Sequence, residues 1–292
     1  MRVLGALAAL GPPNTAIPLA SGGRFAYHLP PASSEPLPLP LLLIGGTSQS
    51  LSSWGPHVPA LSRSRLVLTF ECVGQGPFEP SSSCSMSAQV SRLSSFLNAA
   101  SITGDKSVDL AGLSFGGRVC LAASRLGVAR KTHLSGVSLN RDAVALRVLE
   151  KWREILGDGD LRAFAESIVE VSYSTDFRER NEKWIPKWLD FVESSNTAEG
   201  VLKLLNESHL DDSYGVTESL RLSKSSNRFL LGEMDVLCGA GGGEGGVNSA
   251  MNDLLAAAGN GHGGRVVEGC GHGVPLEASK LWREDLLRWL DS

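Results

Sequence analysis

The chain has 292 residues, of which 42% are hydrophobic and 20% are charged, as in ordinary soluble globular proteins. Its 27 Lys and Arg residues against 31 Asp and Glu residues give a net charge of −4, which argues against a nucleic-acid partner bound through its phosphates. Apolar runs such as residues 41–44 are far shorter than the roughly 20 residues that a bilayer crossing needs. We therefore expect neither a nucleic-acid partner nor a membrane span.

The cysteines and the first residues bear on the compartment and on targeting. The five cysteines are scattered and include no CxxC pair, which favours a reducing compartment, either the cytoplasm or an organellar stroma or matrix. Cys270 and His272, with His262 upstream, match no common zinc spacing, so no metal is expected. The opening MRVLGALAAL faintly resembles a targeting segment. We expect a ragged terminus before Thr15 and leave targeting open.

Short apolar runs alternate with amphipathic stretches along most of the chain. In chain order, the predicted strands are residues 15–20, 24–29, 41–44, 65–70, 107–113, 134–139, 228–231 and 265–268. The predicted helices are residues 86–99, 115–126, 248–258 and 276–290, with a further helix possible around Trp54. The first two strands are expected to pair as a hairpin, and the proline-rich residues 30–40 are expected to link it to the next strand.

This alternation predicts an α/β fold with a mostly parallel sheet covered by helices on both faces. Residues 141–224 differ, because they are charged and amphipathic and contain no strong strand pattern. We interpret them as a helical cap inserted over one edge of the sheet. The predicted organisation is a core made of residues 1–140 and 225–292, with the cap at 141–224.

A candidate nucleophile lies at the junction of a predicted strand and a predicted helix. The segment Gly112-Leu-Ser-Phe-Gly116 fits the pattern G-x-S-x-G. Between a strand and a helix, this pattern is typical of a tight turn that raises a serine hydroxyl above the sheet. The alternative is a glycine-rich turn in which Ser114 only caps the helix.

A serine hydroxyl needs a base, and the base needs an acid to orient it. Asp235 closes the apolar run that begins at Arg228, and His272 lies in the glycine-rich loop Gly269–Gly273. Both follow predicted strands, so both are expected at the sheet edge where Ser114 would lie. Glu233 and Asp142 are rival acids, and Asp235 alone could be a turn-stabilising residue.

Acyl transfer also requires hydrogen-bond donors for the developing oxyanion. The backbone N–H of Phe115, directly after the serine, is one candidate. The second donor is expected in the loop that follows residues 41–44, at Gly46, Thr47 or a neighbour. The alternative for this loop is a simple turn at a strand end.

With these motifs, the chain from about Thr15 onward resembles the α/β-hydrolase fold. The resemblance also rests on Glu71-Cys-Val-Gly-Gln-Gly76, Leu231-Gly-Glu-Met-Asp235 and residues 157–165, which are similar to the 3-oxoadipate enol-lactone hydrolase branch. It implies that Ser114 is the nucleophile, Asp235 the acid and His272 the base. The family usually has His-Gly at residues 45–46 and Asp at residue 71, so the substrate is less well indicated than the triad.

The sequence thus predicts a serine hydrolase that forms an acyl-enzyme with a small carboxylic ester or lactone and uses no cofactor. Arg118, after Gly116-Gly117, is similar to the menaquinone-pathway synthase, so a lyase on the same scaffold is an alternative. A non-catalytic ligand-binding protein is another alternative. Gly241-Gly-Gly-Glu-Gly-Gly246 also satisfies the dinucleotide pattern G-x-G-x-x-G, but a flexible glycine loop explains it better. Trp184, Trp188 and Phe191 either cover the pocket or form the interior of the cap. The oligomeric state is open.

Overall fold

A computed structural model of the chain describes residues 2–31, 37–76, 81–208, 214–239 and 246–292. The strands are β1 Ile17–Pro18, β2 Arg24–His28, β3 Leu41–Ile44, β4 Val67–Glu71, β5 Val108–Leu113, β6 Ala129–Ser135, β7 Ser226–Gly232 and β8 Gly263–Val267. The helices are α1 Arg2–Leu10, α2 Val58–Leu61, α3 Met86–Ala99, α4 Phe115–Ser124, α5 Ala143–Gly157, α6 Leu161–Ser172, α7 Thr175–Arg180, α8 Ile185–Ser195, α9 Ala198–Ser208, α10 Val216–Leu222, α11 Gly246–Ala258, α12 Val274–Glu277 and α13 Ser279–Asp291. Single 3-10 turns span Leu51–Trp54 and Val236–Cys238.

The described strands form one eight-stranded sheet in the order β1-β2-β4-β3-β5-β6-β7-β8. The pairs β1–β2 and β2–β4 are antiparallel, and every other pairing is parallel. Strand β3 is buried on both faces, and its continuous apolar run suits this position. Leu42 and Ile44 pack on one face of the sheet, and Leu41 and Leu43 pack on the other. The predicted α/β fold, with a mostly parallel sheet covered on both faces, is confirmed.

Helices cover the two faces with separate apolar clusters. One face packs against helices that include α1, α3, α4, α10 and α11. The other face packs against the first 3-10 turn, α2 and α13, with Trp282 fully buried among them. Both clusters hold apolar area away from water, which is the main driving force for this layered arrangement.

The helices between β6 and β7 lie where the cap was predicted. The helices α5, α6, α8 and α9 pack around apolar clusters of their own, which include Trp152, Phe164, Val201, Leu189 and Val192. By contrast, α10 contributes its buried Val216 and Leu220 to the cluster on the sheet. We call α5–α9 the inserted helices below.

Two expectations about elements were wrong. The strand expected at residues 134–139 is instead β6, Ala129–Ser135. Its start was not predicted because Arg130 and Lys131 are not apolar. The strand ends before Gly136, whose φ is 61°. The charged ends of Arg130 and Lys131 bind carbonyls of α13, at Leu290 and Trp289 respectively, so hydropathy alone hides the strand's start.

The N-terminal segment is also not ragged. Residues 2–10 form α1, whose Leu7 is fully buried in the main core cluster. The hydroxyl of Tyr27 in β2 donates to the carbonyl oxygen of Gly11 at 2.9 Å, which attaches the end of this helix to the sheet. None of the helices in the described part of the chain combines the length and apolar character that a bilayer crossing requires.

Candidate active site

Ser114 lies in a strained turn between β5 and α4. Its φ of 53° and ψ of −117° place it in a region that residues with side chains rarely adopt. Its backbone N–H donates to the carbonyl oxygen of Ser135 at the end of β6, at 2.8 Å. A Cβ on Gly112 would lie 2.5 Å from the backbone of Gly116, and one on Gly116 would collide with the carbonyl of Ile44. The glycines of the motif therefore permit the close approach of strand and helix that the turn needs.

Asp235 and His272 form a buried hydrogen-bonded pair. The Nδ1 atom of His272 lies 2.8 Å from Oδ2 of Asp235, which is fully buried. The other oxygen of Asp235 accepts hydrogen bonds from the backbone N–H groups of Leu237 and Cys238, at 3.0 and 3.1 Å. An ionised carboxylate can only accept, so the proton of a neutral His272 lies on Nδ1 and the lone pair on Nε2.

The rival acids lie elsewhere. Glu233 is exposed, and its carboxylate accepts from the backbone N–H of Gly269 at 2.9 Å. Asp142 caps the N-terminus of α5 by accepting from the N–H of Ala145 at 2.8 Å. Of the three acids that the sequence offered, the structure brings only Asp235 to His272.

Ser114 and His272 line the same cavity, which has a volume of about 360 Å³. Gly136, next to the Ser135 carbonyl that holds the Ser114 amide, lies directly against the imidazole. A Cβ on Gly136 would be 2.7 Å from Cε1 and 3.0 Å from Nδ1 of His272. No hydrogen bond joins Nε2 of His272 to Ser114 or to any other described residue. Such contacts are often long without substrate and shorten when it binds.

The inserted helices hold the loop that carries His272. Glu277, in α12, accepts from the N–H of Gly271 at 2.8 Å and from the hydroxyl of Ser174 at 2.6 Å. The N–H of Gly273 donates to the carbonyl of Ser172, the last residue of α6, at 2.9 Å. Sequence reasoning missed Glu277, because its partner Ser174 is 103 residues away and no local pattern marks the pair.

The residues predicted for the oxyanion site line the same cavity. Phe115 begins α4, and Gly46 and Thr47 follow β3. A Cβ on Gly46 would lie 3.4 Å from Cβ of Ser114, so this loop runs beside the candidate nucleophile. However, the N–H of Gly46 donates to Oε1 of Gln49 at 2.7 Å. The sequence analysis missed Gln49, although its position three residues after Gly46 suits a turn of this kind.

Metal ligation has one candidate cluster among the described residues. Ligand atoms of Asp235, Cys238 and His272 lie within 4.8 Å of one another. Burial, and next to it the Asp235 carboxylate, hold the pKa of the Cys238 thiol well above its usual range, so the sulfur is a neutral thiol. Two of these three residues, Asp235 and His272, already form a hydrogen bond with each other through Oδ2 and Nδ1.

The other two binding motifs from the sequence do not form sites in the described residues. His262, at the start of β8, accepts from the backbone N–H of Asn227 at 2.9 Å, whereas Cys270 follows the end of that strand. The combination of Cys270, His272 and His262, which the sequence analysis set aside as a metal site, is not among the ligand clusters of the described residues. The dinucleotide-like segment lies outside the described residues except for Gly246, where α11 begins.

The cavity wall is apolar with two cationic side chains. Arg118, in the first turn of α4, and Arg141 line it, and no carboxylate is among its described lining residues. Apolar and aromatic side chains from the inserted helices make up much of the rest, including Leu149, Trp152 and Trp188. Of the three aromatic residues that were expected either to cover the pocket or to form the interior of the cap, Trp188 lines this cavity, whereas Trp184 and Phe191 line only a neighbouring one.

A family model described as the alpha/beta hydrolase family matches residues 41–282. The chain therefore belongs to the alpha/beta hydrolase family.

Solved structures share this fold at low sequence identity. The enol-lactonase from Burkholderia xenovorans LB400 is 17% identical with a TM-score of 0.73, and the alignment covers 92% of this chain and 97% of that one. A thermophilic esterase from Thermogutta terrifontis is 18% identical with a TM-score of 0.74, covering 94% and 95%. MenH from S. aureus is 15% identical with a TM-score of 0.72, covering 91% and 97%. No curated protein matches the sequence. At these sequence identities, the similarity to the solved structures shows a shared fold and nothing more specific.

Proposed function

We propose that this protein is a serine hydrolase that cleaves a small carboxylic ester or lactone through an acyl-enzyme. The observation that carries the proposal is the buried Asp235–His272 pair, whose His272 lines the same cavity as Ser114 in its strained turn. A fold of this family hosts several chemistries, so the argument rests on these side chains and not on the fold.

In the proposed reaction, the hydroxyl oxygen of Ser114 attacks the substrate carbonyl carbon while Nε2 of His272 takes its proton. The charge that develops on the carbonyl oxygen is stabilised by the backbone N–H of Phe115 and by an N–H of the loop that holds Gly46 and Thr47. The N–H of Gly46 donates to Oε1 of Gln49 at 2.7 Å, so an oxyanion bound at Gly46 would have to displace that contact. The start of α4 adds the favourable field of a helix N-terminus.

His272 then returns the proton to the leaving oxygen, and the acyl group stays on Ser114. Water then attacks the acyl carbon while Nε2 of His272 takes one of its protons. The bond from the acyl carbon to the Ser114 oxygen breaks as His272 returns that proton to this oxygen, and the acid is released. Asp235 stabilises the imidazolium that forms in both halves and keeps its ring in place. The inserted helices act as a cap that shields this chemistry from bulk water.

Arg118 and Arg141 line the catalytic cavity and bring two cationic side chains to its wall, which favours a substrate that carries negative charge. The same arginines support the second candidate, an elimination in which His272 and Ser114 move a proton without acylation. An elimination leaves no acyl group on Ser114, so the two reactions differ in a measurable intermediate.

The test is labelling with a fluorophosphonate, followed by mass spectrometry of the digested protein. We expect a single modified residue, Ser114, and no modification in Ser114→Ala. Quenching a reaction with 4-nitrophenyl acetate in acid should trap an acetyl group on the same serine. Labelling at another residue, or the absence of labelling in folded protein, contradicts the proposal.

A further inference from the structure

A second cavity of about 220 Å³ lies beside the catalytic cavity. Four residues belong to the walls of both: Gln49, Leu113, Tyr173 and Trp188. Leu113 directly precedes Ser114 in the chain, so the second cavity lies next to the candidate nucleophile. The two cavities are therefore neighbouring compartments on either side of one partition.

The two compartments differ in chemistry. The second cavity is lined by aromatic and apolar side chains, which include Trp54, Trp184, Phe191 and Leu276. Lys187 is the single residue with a charged side chain in its described wall, whereas the catalytic cavity has Arg118 and Arg141. Pockets of this composition take flat, apolar groups, because burial of aromatic surface supplies most of the binding free energy.

The floor of the second cavity is formed by closely packed rings. The indole rings of Trp54 and Trp282 stack with centroids 5.5 Å apart, and the ring of His57 packs edge-on against Trp282 at 4.6 Å. Burial, with a smaller effect of Arg283, lowers the pKa of His57 to about 4, so this imidazole is neutral near pH 7. Such a floor suits an aromatic ring better than a charged or strongly hydrated group.

Part of the wall of the second cavity is exposed to solvent at Trp184, the residue before α8. Trp184 is 37% exposed although it lines this cavity, and its ring lies 6.1 Å from that of Trp188. An exposed indole at the rim of an apolar cavity gives an incoming ring a surface to contact before it enters.

We propose that the second cavity is a subsite for the aromatic half of a two-part ester, whose anionic half lies in the catalytic cavity near Arg118 and Arg141. This inference rests on the proposed hydrolysis for the orientation of the ester across Ser114. Phe191 and Trp184 are the specificity-determining residues, because they line the second cavity and not the first.

Two matched ester series test it. The first varies the alcohol of a succinate monoester (methyl against benzyl), and the second varies the acid of a methyl ester (acetate against phenylacetate). Phe191→Ala and Trp184→Ala should each lower the kcat/KM preference for the aromatic member about tenfold in one series. The series that responds identifies which half of the ester occupies the cavity. Taking the ratio within each protein cancels the intrinsic reactivity of the esters.

The matched control is Leu146→Ala, since Leu146 lines only the catalytic cavity and lies on α5. It should change both members of a series by the same factor. Preferences in Phe191→Ala and Trp184→Ala that equal those of Leu146→Ala would overturn the proposal, provided that thermal unfolding shows the variants folded.

A binding measurement separates this inference from the proposed function. Ser114→Ala should bind 2-naphthylmethanol in a calorimetric titration, and adding Phe191→Ala should weaken that binding about tenfold. Loss of binding in the double variant supports the subsite even if the wild type hydrolyses no ester. Equal binding in both proteins contradicts the subsite even if Ser114 reacts with fluorophosphonate.

Discussion

At the scale of single residues, the candidate site depends on small side chains as much as on reactive ones. Ser114 adopts a positive φ, and glycines before and after it leave no room for a Cβ. Backbone strain of this kind persists only where the surrounding structure enforces it, as the hydrogen bond from Ser114 to Ser135 does here. The hydroxyl of Ser114 and the glycines that permit its backbone conformation are therefore required together.

Replacing Ser114 by Ala removes the proposed nucleophile and little else. We expect kcat for the best ester to fall by about 10⁴ or more, with thermal unfolding close to that of the wild type. Steady-state kinetics and a melting curve measure both. Retention of a tenth of the wild-type rate would exclude Ser114 as the nucleophile.

Gly136 provides a sharper test, because it has no side chain and no chemical role in the proposed mechanism. In Gly136→Ala the new methyl group would meet the imidazole of His272 at 2.7 Å, in a backbone with φ of 61°. We expect kcat to fall about 100-fold as the ring is displaced. Ester kinetics and thermal unfolding of the variant measure the effect.

Gly157→Ala is the matched control, because a Cβ there meets nothing within 4 Å. It should leave kcat unchanged. If Gly136→Ala is as active as Gly157→Ala, the ring of His272 is not held where the proposal needs it.

At the scale of elements, the link between α12 and the inserted helices holds the His272 loop. Glu277 binds the loop at Gly271 and the inserted helices at Ser174, so one carboxylate connects the candidate base to the proposed cap. The strands bring Ser114, Asp235 and His272 to one edge of the sheet, and we expect the contact of Glu277 with Gly271 and Ser174 to set the orientation of the His272 loop. We regard Glu277 as a positioning residue.

Glu277→Ala should lower kcat about 10- to 100-fold with little change in KM, because the substrate still binds while the base is misplaced. Glu277→Gln keeps an acceptor for the N–H of Gly271 and should recover much of the loss. Steady-state kinetics on one ester measure both variants.

The control for Glu277 is Glu268→Ala, which removes an exposed carboxylate just before the same loop. It should behave as the wild type. A loss in Glu277→Ala that Glu277→Gln does not recover, with an equal loss in Glu268→Ala, would indicate a general charge effect instead of positioning.

At the scale of the whole molecule, buried histidines make stability depend on pH. Burial lowers the pKa of His57 to about 4, whereas the unfolded chain holds it near 6.5. Below the unfolded pKa the unfolded state therefore binds the proton more readily, so the free energy of unfolding falls as the pH drops from about 6.5 to 4. The contribution of His57 is at most about 3 kcal/mol.

His57→Gln should flatten this part of the profile. Glutamine keeps both a donor and an acceptor but does not titrate. We expect the difference in stability between pH 7 and pH 4.5 to shrink by about 2 kcal/mol relative to the wild type. Urea unfolding at a series of pH values measures it. Parallel profiles for the two proteins would show that His57 is not the group responsible.

The alternation of apolar runs determined the α/β class, since strands buried on both faces and amphipathic helices have distinct local patterns. It failed at β6 and α1. In β6, Arg130 and Lys131 satisfy their charged groups on α13, a contact that hydropathy does not reveal. Residues 2–10 form α1, whose Leu7 is buried in the main core cluster, whereas the sequence alone predicted a ragged terminus there.

The candidate site divides in the same way. By itself the sequence placed Ser114, Asp235 and His272 after three strands, because a tight turn and a strand end are local features. The sequence also favoured Asp235, but only the tertiary structure showed that Asp235 contacts His272 while Glu233 and Asp142 lie elsewhere. Likewise, only the tertiary structure showed that the Gly46 amide binds Gln49 and that Glu277 links to the inserted helices. These outcomes depend on the relative placement of distant segments. The division into two cavities likewise comes from the packing of helices on the sheet, a property of the folded chain that no local pattern encodes.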